Sequence, residues 1–116
     1  MIPEEITAGD TFLIRYKHKQ EEVLTEIPEG YDLLFGLRQE GGNKVIVYSY
    51  RNGDIENTDK GIYGRKVDHE LSKSLSGTIV IEMVIYSRDS SVVLHCGKPR
   101  RVVVNQSFMN EYLDIE

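Results

Sequence analysis

Three histidines, His18, His69 and His95, and a single cysteine, Cys96, are the side chains best suited to chemistry in this chain. No two of these histidines stand at metal-ligand spacing and no second cysteine accompanies Cys96, so a zinc site is not expected. His95 and Cys96 are neighbours in sequence. On a strand, neighbouring side chains point to opposite faces, so the two do not make a nucleophile and its base. Cys96 reads as a small core hydrophobe. Oxygen donors gather at Asn52, Asp54, Glu56, Asn57 and Asp59. This stretch lacks the glycine and the terminal glutamate of the twelve-residue calcium loop, and reads as a solvated loop. Gly41-Gly42 precedes no helix and makes no phosphate cradle. No Gly-x-Ser-x-Gly turn is present to strain a nucleophile. Catalytic, cofactor-binding and metal-binding residues are therefore not assigned, and the chain is expected not to be an enzyme.

Lys98, Arg100 and Arg101 form the one basic cluster along the sequence. A nucleic-acid surface needs a stripe of cations that neutralises several phosphates, with aromatic residues to stack bases. A net charge of −5 and the absence of such a stripe argue against nucleic acid. The cluster reads as a charged turn blunting a sheet edge. Tyrosines give a different hint. On Lys44 to Tyr50, one face carries Ile46, Tyr48 and Tyr50 and the other carries Val45 and Val47. Water cannot cover both faces cheaply. Either the strand is central or its tyrosine face meets a partner, and Tyr48 and Tyr50 are taken as interface candidates.

The elements that must hold these residues are strands. The chain has 11 Val and 11 Ile but one Ala, Ala8. β-Branched side chains suit a pleated surface, whereas alanine favours helix. Thr11 to Lys17 alternates Phe12, Ile14 and Tyr16 with Leu13, Arg15 and Lys17, as a half-buried strand does. Lys17 to Glu22 reads as charged and solvated. Val23 to Ile27 reads as a short edge strand closed by Pro28. Tyr31 to Leu37 and Lys44 to Tyr50 flank the turn Glu40-Gly41-Gly42-Asn43. Asp54 to Gly61 reads as loop and Ile62 to His69 as a weaker strand. Leu71 to Ser76 predicts a single helical turn whose Leu75 plugs the core. Thr78 to Tyr86 is the strongest strand, followed by a tight turn Arg88 to Ser91, a strand Ser91 to Cys96, a turn at Gly97-Lys98-Pro99 and a strand Arg100 to Val104. Ser107 is placed to cap one short helix. About seven strands with turns between them point to an all-β antiparallel sandwich, with 1–8 as a lead and 107–116 as a tail.

Composition bounds the rest. At 116 residues, 40% apolar and 28% charged, the sequence is one globular domain, 1–116, with no linker or repeat. No apolar run spans a bilayer, so no membrane partner is expected. The start Met-Ile-Pro-Glu-Glu lacks a signal peptide's pattern, and the lone cysteine fits a reducing compartment; synthesis and folding in the cytoplasm are expected.

Several turn words recur in a known family. Ile6-Thr7-Ala8-Gly9-Asp10-Thr11-Phe12, Gly61-Ile62-Tyr63, Leu75-Ser76-Gly77-Thr78 leading into Ile79-Val80-Ile81-Glu82, and the closing Gly97 to Val104 strand resemble small immunoglobulin-like domains of bacteriophage tails and baseplates, in the order found in the N-terminal domain of baseplate upper proteins. The resemblance implies an immunoglobulin-like sandwich that acts through assembly contacts in a phage or prophage tail, made in the host cytoplasm and carried in the virion. No functional residue carries over. Protein partners are expected, either a second copy or other tail proteins, reached through an apolar face or by strand addition at an open edge. Phe108, Met109, Tyr112 and Leu113 are the candidate docking arm, or else they fold back on their own domain. A carbohydrate-binding sandwich is the first alternative and a small enzyme the second.

Overall fold

The computed structural model describes residues 4–113 other than Arg88 and Ser90. In chain order the elements are β1 (Glu5–Thr7), β2 (Phe12–Lys17), β3 (Lys19–Gln20), β4 (Val23–Leu24), β5 (Tyr31–Gln39), β6 (Val45–Ser49), β7 (Glu56–Asp59), β8 (Ile62–Val67), α1 (His69–Ser72), β9 (Gly77–Ser87), β10 (Val92–His95), β11 (Arg100–Asn105) and a 3₁₀ turn, η1 (Phe108–Tyr112). They build an all-β sandwich. A six-stranded sheet runs β1-β11-β9-β5-β6, with β10 also on β9, and faces a three-stranded sheet β2-β8-β7.

The long strand β9 organises the larger sheet. Its Ile79, Ile81 and Ile85 turn inward beside Leu33, Phe35 and Leu37 of β5 and Val102 and Val104 of β11. Phe12 and Ile14 of β2 and Tyr63 and Val67 of β8 supply the opposing layer. Period-two alternation thus becomes one buried face per strand, and burial of that face is the main stabilising term. One end is plugged by α1. Asp68 caps it by accepting the Leu71 N–H at 3.1 Å; the cap ends β8 at Val67 and starts the turn at His69, two residues ahead of the expected Leu71 to Ser76, and Leu75 just beyond it is buried as expected.

Four features depart from the sequence reading. The N-terminal lead contains a strand, because β1 pairs in parallel with β11, Glu5 opposite Val103 and Thr7 opposite Asn105. The stretch Asp54 to Gly61 holds β7, four exposed polar residues paired to β8. Lys17 to Glu22 is not all loop: β3 and β4 form a hairpin whose two turn residues, Glu21 and Glu22, have φ of 51° and 67°. The strand expected over Val23 to Ile27 is therefore short, and Ile27 is instead a buried core residue outside any strand. The expected turn Arg88 to Ser91 includes Arg88 and Ser90, which lie outside the described residues, as do the first three residues of the lead and the last three of the tail.

The partner strand of β9 is interrupted. The Cys96 N–H still reaches the Met83 carbonyl at 2.9 Å, and Arg100 already opposes Ile81. Gly97, Lys98 and Pro99 therefore stand against Glu82 alone. This bulge separates β10 from β11, with Gly97 at φ 84°. Beyond it, among the described residues, β10 has β9 on one side and no strand on the other.

Candidate functional site

The interface candidates fall into two groups. On β6 the tyrosine face is the core face. Tyr48 is buried, and the Arg65 guanidinium lies 4.4 Å from its ring centre. Tyr50 packs its ring edge-on to Tyr63 at 4.9 Å, while Arg51 covers it at 5.0 Å. The face of β6 open to solvent is the other one, Val45 and Val47. The physical reason is area: two tyrosines and Ile46 remove more apolar surface from water than two valines do. Tyr48 is thus a core residue and Tyr50 a partly buried one packed against the core, each beside a cation.

The second group stays outside. Ser107 caps η1 by accepting the Met109 N–H at 3.1 Å. Within η1 Asn110 turns inward while Glu111 stays exposed. Asn110 donates from Nδ2 to the Ala8 carbonyl at 2.6 Å, and its side chain lies over Gly9. A Cβ at Gly9 would stand 2.2 Å from Asn110 Oδ1, and φ there is 98°, so this contact requires glycine. Phe108 is 77% exposed and Tyr112 is 72% exposed; Met109 and Leu113 are exposed as well. The backbone of the described part of the tail folds back, but the side chains of Phe108, Met109, Tyr112 and Leu113 do not.

A second apolar surface lies on β10, where Val92, Val93 and Leu94 are all exposed. The Cys96–Met83 bond fixes the ladder's alternation. Val92 and Leu94 turn their backbone groups to β9, and Val93 and His95 turn theirs to the open edge. Along β9 this edge and η1 are at opposite ends, because Ser87 opposes Val92 whereas Gly77 opposes Val104, just before the chain enters η1.

The residues first singled out for chemistry are dispersed. His69 is buried and donates from Nδ1 to the Gly9 carbonyl at 2.8 Å, a structural tie. His95 is exposed on β10. The loop acids face other tasks: Asp54 accepts the Ser49 N–H and Asp59 the Lys60 N–H. Among the described residues no three His, Cys, Asp or Glu side chains group as metal ligands, and no helix is long and apolar enough to cross a membrane.

Cys96 is half-buried rather than enclosed, and it lines a cleft of about 230 Å³ between the bulge and the open edge of β2. Arg15, Tyr16 and Lys17 border it from β2, and Lys98 and Arg100 from the bulge. Burial pushes the Tyr16 hydroxyl and the Cys96 thiol above their ordinary values. Both stay protonated at neutral pH, which leaves Cys96 a weak donor and not a nucleophile. Lys98 and Arg100 stand together in the sequence, whereas Arg15 and Lys17 lie far from them on one face of an alternating strand. Only the fold brings the two pairs together.

No family model matches the chain, and no curated protein matches it.

Proposed function

We propose that this protein is a non-catalytic assembly module whose partner is first of all a second copy of itself. The observation that carries the reading is η1, an inverted helical turn that anchors itself through Asn110 and presents Phe108, Met109, Tyr112 and Leu113 to solvent. Pre-ordering the arm lowers the entropic cost of docking it. The occupant follows from the placement of the two apolar surfaces. The arm at one end and the open edge of β10 at the other allow one copy to engage the next, a head-to-tail contact that propagates or closes into a ring. Exposed apolar patches of this kind mark interaction surfaces.

The setting we propose, a phage or prophage tail, rests on the turn words around Gly9, Gly61 and Gly77, each of which marks a backbone turn at positive φ. The reading is tested with the double variant Phe108→Ser, Tyr112→Ser. Light scattering behind size exclusion, run over a concentration series, is expected to show the parent's mass rising and the variant fixed at the single-chain value. At dilutions where both are single chains, thermal midpoints should agree, because both side chains then face water. A parent that stays at single-chain mass throughout, or a variant that associates equally, overturns the proposal.

A further inference from the structure

Among the described residues, four cations border the cleft, Arg15 and Lys17 from β2, Lys98 from the bulge and Arg100 from the start of β11, and no carboxylate lines it. Among the described residues the salt bridges are Lys73 with Glu70 and Arg101 with Glu40, so none of the four is neutralised by an ion pair. This occurs in a chain whose net charge is −5. An acidic protein that gathers four unpaired cations around one concavity has built a local positive field against its own average.

The polar groups facing the cleft point the same way. The His18 N–H donates to the Gly61 carbonyl at 2.7 Å, which sets the alternation along β2. Tyr16 and Ile14 therefore bond to β8, while Arg15 and Lys17 turn their backbone groups to the open edge. Tyr16, whose hydroxyl meets His18 Nδ1 at 3.0 Å, and Cys96 add uncharged O–H and S–H groups. Ile81 and Met83 form an apolar patch beside them.

We propose that this cleft is a binding site for a small phosphate-bearing molecule. Two guanidinium groups and two ammonium groups suit an anion of more than one charge, and the guanidinium fork matches phosphate oxygens. The volume is below the roughly 300–1,000 Å³ of pockets that enclose drug-sized ligands, so the site takes a phosphate or diphosphate with little attached to it. A nucleic-acid backbone would need a stripe of cations, and this is one concave cluster. The site shares no residue with η1, so it stands or falls apart from the assembly reading.

The probe is inorganic pyrophosphate, titrated calorimetrically at ionic strength held constant with sodium chloride. The parent is expected to bind one pyrophosphate per chain, saturably. The double variant Lys98→Gln, Arg100→Gln should weaken binding at least about tenfold. Lys44→Gln, at a cation remote from the cleft, should leave it unchanged. Amide shifts on titration should centre on Arg15, Lys17, Cys96 and Gly97, which locates the site even if a variant folds poorly. The proposal is overturned if the parent shows no saturable heat, if the double variant binds as the parent does, or if the shifts centre elsewhere.

Discussion

Replacing Tyr63 by phenylalanine removes one oxygen and leaves two partners without it. The Tyr63 hydroxyl accepts the buried N–H of Ile27 at 2.9 Å and donates to Glu26 Oε2 at 2.7 Å. Phenylalanine keeps the ring, and with it the edge-on contact to Tyr50. What it loses is the hydroxyl that pairs the buried Ile27 N–H, just ahead of Pro28. Leaving such a donor unpaired costs about 1–3 kcal/mol. The Glu26 carboxylate is exposed and also accepts from Asn57, so it adds little. A destabilisation of about 2 kcal/mol follows, or roughly 8 °C in Tm for a domain of this length. Urea melts followed by circular dichroism measure it.

The alkaline limb gives a second and sharper test. Burial pushes the Tyr63 hydroxyl up to about 12, and the bond to Glu26 adds to the rise while the Ile27 N–H opposes it. A raised value means that the folded state holds the proton more tightly. The resulting stability is complete below the ordinary tyrosine value of about 10, and it is lost as pH climbs through the folded one. The gap between parent and Y63F is therefore expected to be constant up to about pH 10, then to narrow at up to about 1.4 kcal/mol per pH unit and to close near about pH 11.5. A gap below about 0.5 kcal/mol at neutral pH, or one that ignores pH across that window, would refute the reasoning. The same hydroxyl is the main cause holding the Glu26 carboxyl below its usual range. In Y63F an NMR titration should find it moved back up.

Two further substitutions probe local backbone. The hairpin of β3 and β4 turns on Glu21 and Glu22, both left-handed, where asparagine and glycine are the favoured pair. Glu21→Asn with Glu22→Gly should stabilise by about 1 kcal/mol in chemical denaturation; no gain would show that the turn is not strained. Gly9→Ala forces a Cβ onto Asn110 at a φ that alanine adopts poorly, and should release η1. Limited proteolysis after Ser107 is expected to quicken several-fold while the core strands stay intact; unchanged cleavage would mean that Asn110 is not the anchor.

The strands with one apolar face were legible in the sequence because alternation encodes them directly. Phe12 to Tyr16, Tyr31 to Leu37 and Thr78 to Tyr86 all lie where the pattern put them, and Ser107 and Leu75 do what their positions suggested. Where the pattern was silent or double, reading failed. Glu56–Asp59 carries no apolar residue at all, and it is a strand because β8 offers it backbone partners. Glu5–Thr7 is too short to show a period, and its partner is nearly the whole chain away. On β6 both faces are apolar, so alternation did not say which one is inside. The cleft was invisible for the same reason as β1: Arg15 and Arg100 become neighbours only once two sheets are stacked.

The parallel pairing of β1 with β11 has a mechanical consequence. A pull that draws the chain out ahead of Glu5 and beyond Asn105 drives the two strands in opposite directions along their shared ladder. The bonds joining Ile6 and its neighbours to Val103–Asn105 then bear tension side by side and must rupture together, rather than peeling one at a time as the tip of an antiparallel hairpin does. The seam between first and last strands is therefore a shear clamp, stiffest against a pull applied along the strands from both ends.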